Sequence, residues 1–419
     1  MKAKNFLFFL FFLASISLYS QGDTFIRSSM HLSLIEDFGF DNGVLVRDAY
    51  GNYPFPVGVY NNHSIDKKSL RLPDYILSPE EEVKYGVNKT MAGSLIGDTA
   101  SAMSAGIVQD NSKVEFQLLK YNETEKIAHE LIRKWFNIQD DGSFDQNYVN
   151  QMINVQLTKE QQLEASSSGS ENAEISKNRN YLIDKTFVVY TRMNFVSNEI
   201  VAAGIREASR EASSKLTGIA LDLANKAADK IYEKTSEGFS VWTTGWLFKL
   251  KWEEEDYNLL KSCVADRKID LDKFYSLPFK LDFLGKEKAT SLVTFSLKKG
   301  EGGRSDKEVI DLSTNRNIDK VLVQLQKGYD QFKPIFPIQS EKPIGAYLGL
   351  KEGIEGGETF EVLEKNSDGS YKAIGTIKVD KNNVWDNQYG SNSSEGMTQF
   401  KGKLPKGASK GTLIRQKKK

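Results

Sequence analysis

The chain has 419 residues, 39% of them hydrophobic, and its 56 Lys plus Arg balance 56 Asp plus Glu. That length allows about two or three domains with real cores, and the even charge excludes the basic face of a nucleic-acid binder. The single cysteine, Cys263, excludes an intrachain disulfide framework.

The N-terminus carries the most specific signal. Lys2 and Lys4 precede an apolar run over residues 6–13, and small residues lead up to Ser20 and Gln21. A basic start, a short apolar stretch and small residues before a cleavage point make a secretory signal peptide. The apolar run is short for a helix that spans a bilayer. Residues 1–20 are therefore expected to be removed, leaving two more acids than bases in an exported mature chain. No cysteine near that point offers a lipid attachment site, and no later stretch is long and apolar enough to span a membrane. The expected location is the periplasm or the outer membrane.

Residues 21–90 read as an extended or β segment. Phe38, Phe40, Val44, Leu45 and Val46 are strand-like, and Gly51-Asn52-Tyr53-Pro54-Phe55-Pro56 is rich in turn formers. Pro79 followed by Glu80, Glu81 and Glu82 starts a short helix, because proline and acids suit a first turn. Residues 91–107 are small, apolar and flexible. Within them Asp98-Thr99-Ala100 resembles the short O-glycosylation signal of secreted Bacteroidota proteins, which marks Thr99.

An α+β body is expected over residues 91–335. Residues 114–121 read as a strand, and Asn122 to Glu125 as a helix cap with its acid three residues on. Ile127, Leu131, Trp135 and Ile138 continue a helical stripe. Asp140-Asp141-Gly142-Ser143 stops it, without the alternating ligands and later glutamate of a calcium loop. A second helix is expected over residues 146–156. Residues 163–180 are polar and low in complexity, which predicts a mobile loop inserted within one domain. Phe187, Val188, Val189 and Tyr190 form a strand. Ile205, Ala208, Ala212, Leu216, Ile219, Leu223, Ala227 and Ile231 then mark a long amphipathic helix, roughly 45 Å at ~1.5 Å per residue. Gly238 suits its C-terminal cap.

Residues 239–252 hold three of the chain's five tryptophans. In a strand, alternate side chains share a face; the even positions read Trp242, Trp246, Phe248, Leu250 and Trp252, and the four from Trp246 onward make an apolar band. Lys249 and Lys251 make the opposite side look wet at that end. A core strand gives this pattern by default; the functional reading is an exposed aromatic platform for a glycan or peptide.

A short helix is expected over residues 257–265, and a strand pair over 278–284 and 289–297. Gly300 to Gly303 form a turn, without the lysine and helix start of a phosphate loop. Ile318, Val321, Leu322, Leu325, Tyr329 and Phe332 form another helix, and Pro334 and Pro337 end it and begin a linker. Residues 342–416 change character. Short strands over 346–350, 359–363, 372–379 and 412–415 alternate with glycine turns, and Asp368-Gly369 signals a hairpin. That pattern predicts a small SH3-like β-barrel.

Catalytic constellations are scarce. His31, His63 and His129 are the only histidines. His129 lies in a helical stripe, and a lone buried Cys263 behaves as a small hydrophobe. Ser64 and Lys67 have S-x-x-K spacing without its companion motifs. No zinc spacing, phosphate loop or dinucleotide fingerprint is present, so no catalytic residue, cofactor or metal is assigned.

The signal ending in Ser20-Gln21, and Gly357-Glu358-Thr359-Phe360-Glu361-Val362-Leu363-Glu364 leading to Val384-Trp385-Asp386-Asn387, resemble uncharacterised secreted proteins of the Bacteroidota. The glycine turn and following strand also resemble small β modules of envelope assembly proteins, such as the flagellar outer-membrane T-ring protein and curli-secretion accessory proteins. Such modules are scaffolds, so the resemblance carries over no catalytic residues. It implies a non-enzymatic envelope protein that contacts envelope or outer-membrane proteins; from the residues themselves, Trp242, Trp246, Trp252 and Trp385 are the candidate interaction face. The alternative is a hydrolase or glycan-binding protein built on acids and the Trp242 to Trp252 face; a third is a surface antigen with no defined ligand.

Overall fold

The computed structural model describes residues 27–36, 40–87, 111–145, 179–213, 237–293, 303–365, 371–389 and 396–417, with residue 391 and isolated positions between 217 and 229. The expected signal peptide, Thr99, the 146–156 helix, residues 163–178 of the expected loop and Asp368-Gly369 lie outside them. So do most of residues 214–236 and residues 300–302 of the glycine turn.

The chain enters through β1 (Ser29–Ile35), turns into α1 (Gly43–Gly51), and returns as two short strands, β2 (Asn61–Asn62) and β3 (Ser69–Leu70). Both short strands lie parallel to β1. Among the described residues three α-helices follow: α2 (Pro79–Tyr85), α3 (Val114–Thr124) and α4 (Ile127–Trp135). Then β4 (Thr186–Ser197) runs parallel to β1, from Ser29 beside Thr186 to Ile35 beside Arg192. Helix α5 (Asn198–Ser213) leads on to β5 (Phe239–Leu250), which pairs antiparallel with β4 along its whole length. After α6 (Glu254–Lys261), a small hairpin of β6 (Val264–Ala265) and β7 (Lys268–Ile269), and α7 (Leu271–Ser276), β8 (Leu281–Val293) closes the far edge. The resulting mixed sheet has the order β2-β1-β4-β5-β8, with β3 also on β1.

Alternation along the central strands sorts their side chains into two cores. Val188, Tyr190, Trp246, Phe248 and Leu250 join the side chains of α3 and α4. Phe187, Val189, Met193, Phe195, Val241 and Leu247 join a second cluster on the opposite face. β5 is thus buried on both sides, and the expected wet side survives only at its end. There Lys249 pairs with Asp184 at 2.6 Å and Lys251 is exposed.

Helix α8 (Asp306–Gly328) starts at a capping box in which Ser305 and Glu308 satisfy each other's backbone amides. It packs on the second face of the sheet and leads into seven antiparallel strands. These are β9 (Phe336–Pro337), β10 (Ser340–Glu341), β11 (Ile344–Ala346), β12 (Thr359–Lys365), β13 (Tyr371–Val379), β14 (Thr398–Lys401) and β15 (Leu413–Gln416). Their order, β10-β11-β14-β13-β12-β15-β9, makes a curled half-barrel. Ile310, Ile318, Leu322 and Leu325 of α8 share one cluster with Leu247 of the first sheet and with Ile344, Phe360 and Phe400 of the second. The expected boundary near residues 335–342 therefore falls inside one continuous core. No helix among the described residues is long and apolar enough to cross a membrane.

Several local expectations give way to tertiary packing. Residues 114–121 are helical because Val114, Leu118 and Tyr121 recur at helical spacing and are all buried on one face. Asn122 is not a cap: it lies buried and accepts a hydrogen bond from the Tyr190 hydroxyl. Val44 and Val46 sit in a helix, since Val46, Ala49 and Tyr50 form its inward stripe. Where two strands are expected, over 278–284 and 289–297, the described residues form the single strand β8, Leu281–Val293, whose polar centre, Lys286 to Lys288, belongs to a sheet edge. The linker at Pro334 to Pro337 contains β9, and Phe336 is buried. Arg179 and Asn180, placed in the expected loop, begin a helical turn instead. The long helix starts earlier, at Asn198, and the helix expected at 257–265 ends at Lys261.

One close approach sets the spacing of α8. A Cβ on Gly245 would lie 2.8 Å from Cγ2 of Val321 and 3.4 Å from Leu325 Cδ1. Gly245→Val is expected to lower stability by about 1–3 kcal/mol in urea unfolding. Gly51→Ala, where nothing lies within 4 Å, should stay within about 0.5 kcal/mol of the parent. Equal stability for both variants would contradict this contact.

Candidate functional site

The most distinctive surface of the described residues is an aromatic patch on the second sheet. At the end of β11, Ala346 and Leu348 point inward and are fully buried, so alternation sends Tyr347 outward, 58% exposed. Trp385 stands against it, with ring centroids 6.4 Å apart in an edge-on arrangement. Met397, 36% exposed, packs over Gly345. Gly396 gives the Trp385 ring room, since a Cβ there would lie 2.5 Å from its Cδ1. Tyr389, 37% exposed, follows on the same connection.

Hydrogen bonds hold this patch in one geometry. Leu350 N donates to the Trp385 carbonyl at 3.0 Å, and Trp385 N donates to Thr398 Oγ1 at 3.1 Å. The Thr398 hydroxyl in turn donates to the Leu348 carbonyl at 2.6 Å. Below, Asn387 Oδ1 accepts from Lys351 N at 2.8 Å, and its Nδ2 donates to Glu352 at 2.7 Å. Glu352 also accepts from Gly349 N at 2.7 Å. The 349–352 turn and the Trp385–Asn387 connection are thereby clamped together.

The clamp reaches α8 and the N-terminal segment. Lys351 Nζ lies 3.7 Å from Asp319 Oδ1 and 5.2 Å from the Tyr53 ring centroid, and donates to the Pro54 carbonyl at 3.2 Å. The Tyr53 hydroxyl donates to Asp319 at 2.6 Å. Burial pushes Asp319 up to about 6 and pushes Glu352 up as well, opposed by Lys351 and, for Glu352, by Asn387. A pair of perturbed carboxylates is a common mark of acid–base chemistry. Here their bonds run to Tyr53, Asn387 and the chain itself, so they join two layers of the fold and position the patch.

The four tryptophans expected to form one face are not brought together. Trp246 and Trp252 are 0% and 2% exposed in the first core, where Trp252 Nε1 donates to Asn180 at 3.1 Å. Trp242 is half-buried on the first sheet, and only Trp385 belongs to the patch. Cys263 is buried, its thiol donates to the Leu259 carbonyl, and burial pushes it up, the reverse of an activated nucleophile. Lys67 is held by Glu125 at 2.5 Å. Asp140 and Asp141 pair with Arg133 and Lys268, both at 2.8 Å, while Glu81 and Glu82 pair with Lys120 and Lys113. Tyr347 and Met397 escaped the sequence reading. The alternation Ala346-Tyr347-Leu348 was the available signal for the first, and nothing local marks the second.

The three histidines are interior groups. Their Nε2 atoms donate to the carbonyls of Lys67 at 3.0 Å for His31, Leu131 at 2.9 Å for His63 and Leu277 at 3.1 Å for His129. Burial lowers them to about 4, about 3 and about 4 respectively. A histidine lowered in the fold binds fewer protons folded than unfolded, so stability rises with pH between the two values. The urea midpoint is expected to be level above pH ~6.5 and to fall steeply below it, with roughly 2 kcal/mol lost for each of His31 and His63 at pH ~5. Asp319 partly offsets this, because its raised value makes the folded state take up a proton first. His63→Gln should flatten the curve, and an unchanged midpoint at pH ~5 would refute buried neutral imidazoles. No protein-family model matches this chain, and no curated protein or solved structure matches it.

Proposed function

We propose that this is a non-enzymatic protein of the cell envelope that works by holding a partner protein against the Tyr347–Trp385–Met397 patch. The supporting observation is that exposed Tyr347 meets the half-buried Trp385 ring edge-on, with exposed Met397 over Gly345 nearby, and that hydrogen bonds clamp the backbone beneath them. Single exposed apolar residues are ordinary, whereas a contiguous patch marks interaction surfaces. Trp and Tyr are the residues most enriched among those that dominate binding energy, and a preorganised backbone lowers the entropy cost of binding. In this reading the curled sheet serves as an SH3-like module, with an extended segment of the partner lying across the aromatic ridge. The envelope assignment rests on the signal-like residues 1–20.

Tyr347→Ser with Met397→Ser removes the patch at exposed positions and should change stability by under about 0.5 kcal/mol. Crosslinking in intact cells, with the tagged protein at native level, should capture a recurring envelope protein. The double variant should capture several-fold less of it. Equal capture by both forms would reject the patch. Enzyme-like turnover of an envelope polymer by the purified protein would reject the non-enzymatic reading, and saturable binding of glycans alone would transfer the patch to sugar recognition.

A further inference from the structure

A separate pocket of about 250 Å3 opens on the first sheet, at the carboxyl end of β1. There the chain leaves β1 for α1 and returns as β2 and β3 along one edge of β1, while β4 lies parallel along the other. The strand order therefore switches direction at β1. In open α/β sheets, ligands settle outside the carboxyl ends of strands at such a point.

The floor is apolar: Leu34, Ile35, Val46, Met193 and Phe195 are each between 1% and 7% exposed. Phe40 stacks on Phe195 with ring centroids 5.0 Å apart and planes 16° from parallel, forming an aromatic wall. At the rim, Arg47 donates from Nε and Nη2 to both carboxylate oxygens of Glu36, at 2.8 and 2.7 Å. That pair is closed, and Arg71 adds a second positive charge near Glu36. Asp41 lines the same rim, is exposed, and has no cationic partner among the described residues. Among the described residues Asp41 is thus a carboxylate without an ion-pair partner above an apolar, aromatic floor.

We propose that this pocket binds a small organic cation, an aralkyl amine whose apolar body lies on Met193 and Phe195 and whose ammonium pairs with Asp41. Phe40 and Phe195, stacked on each other with Phe239 edge-on to both, offer an apolar wall to the ligand's body, and Asp41 supplies the preference for a cation. An anion would have to break the bidentate Glu36–Arg47 pair and approach Asp41. The volume is at the small end for ligand pockets, which suits a molecule of fragment size rather than a polymer. This inference is independent of the aromatic patch.

The test is an NMR titration of the full chain labelled at its methionine methyls, of which Met193 is one of seven. The Met193→Leu variant assigns the Met193 signal by its loss. The probes are phenethylammonium, 2-phenylethanol and 3-phenylpropanoate. The Met193 methyl should shift saturably with the ammonium, more weakly with the alcohol and not with the carboxylate. Asp41→Asn should weaken ammonium binding about threefold to fivefold, the size of an exposed ion pair. Overturning results are a carboxylate or alcohol that binds as well as the amine, no effect of Asp41→Asn, or no shift at Met193 with any probe.

Discussion

Burial of β4 and β5 on both faces is the constraint that the remaining architecture satisfies. A strand wet on one side needs a single covering layer, but this pair sends Tyr190, Trp246 and Phe248 one way and Phe187, Val189 and Leu247 the other. Each large side chain is worth a few kcal/mol only if something covers it. On one face the cover is α3 and α4 with the aromatic ring cluster around His129. On the other it is α8, seated closely because Gly245 presents no side chain to Val321.

Helix α8 then has two partners, and this joins the sheets. Its apolar side chains reach both, and its buried polar groups fix how it sits. Gln326 donates to the Tyr60 hydroxyl at 3.0 Å, which donates to the Phe332 carbonyl at 3.1 Å. Asp319 accepts from Tyr53 beside Lys351. Buried polar groups have strict partners, so they select one orientation where apolar contacts tolerate several. The aromatic patch inherits that precision, because Lys351 and Glu352 belong to the same turn that clamps Trp385.

Helix α2 is attached by a different kind of contact. It has no buried residue, and it meets α3 and its start through Lys84–Glu123, Lys113–Glu82 and Lys120–Glu81. Exposed ion pairs are each worth about 0–1 kcal/mol and are screened by salt. Its fixed geometry comes from the Ser78–Glu81 capping box and from Val87, 1% exposed, just beyond its glycine cap.

The sequence by itself determined the elements whose pattern is local and strong. The strand around Phe187 to Tyr190, the tryptophan-rich strand, the helices at Pro79 and Ile127, and the strands at 359–363 and 372–379 all follow from periodicity and caps. It also marked Trp385, through a short motif rather than through any exposure it could show. Only the tertiary structure decided which surfaces close. Residues 114–121 have strand-like composition, yet docking Val114, Leu118 and Tyr121 on one core makes them a helix. Trp246 and Trp385 look alike in sequence, but one lies between two layers and the other beside Tyr347 at the surface. The pocket at β1 joins residues near 35, 45 and 195, which no window of sequence contains. Periodicity records which face of an element is apolar; what covers that face depends on contacts between residues far apart in the chain, and these exist only once the layers have packed.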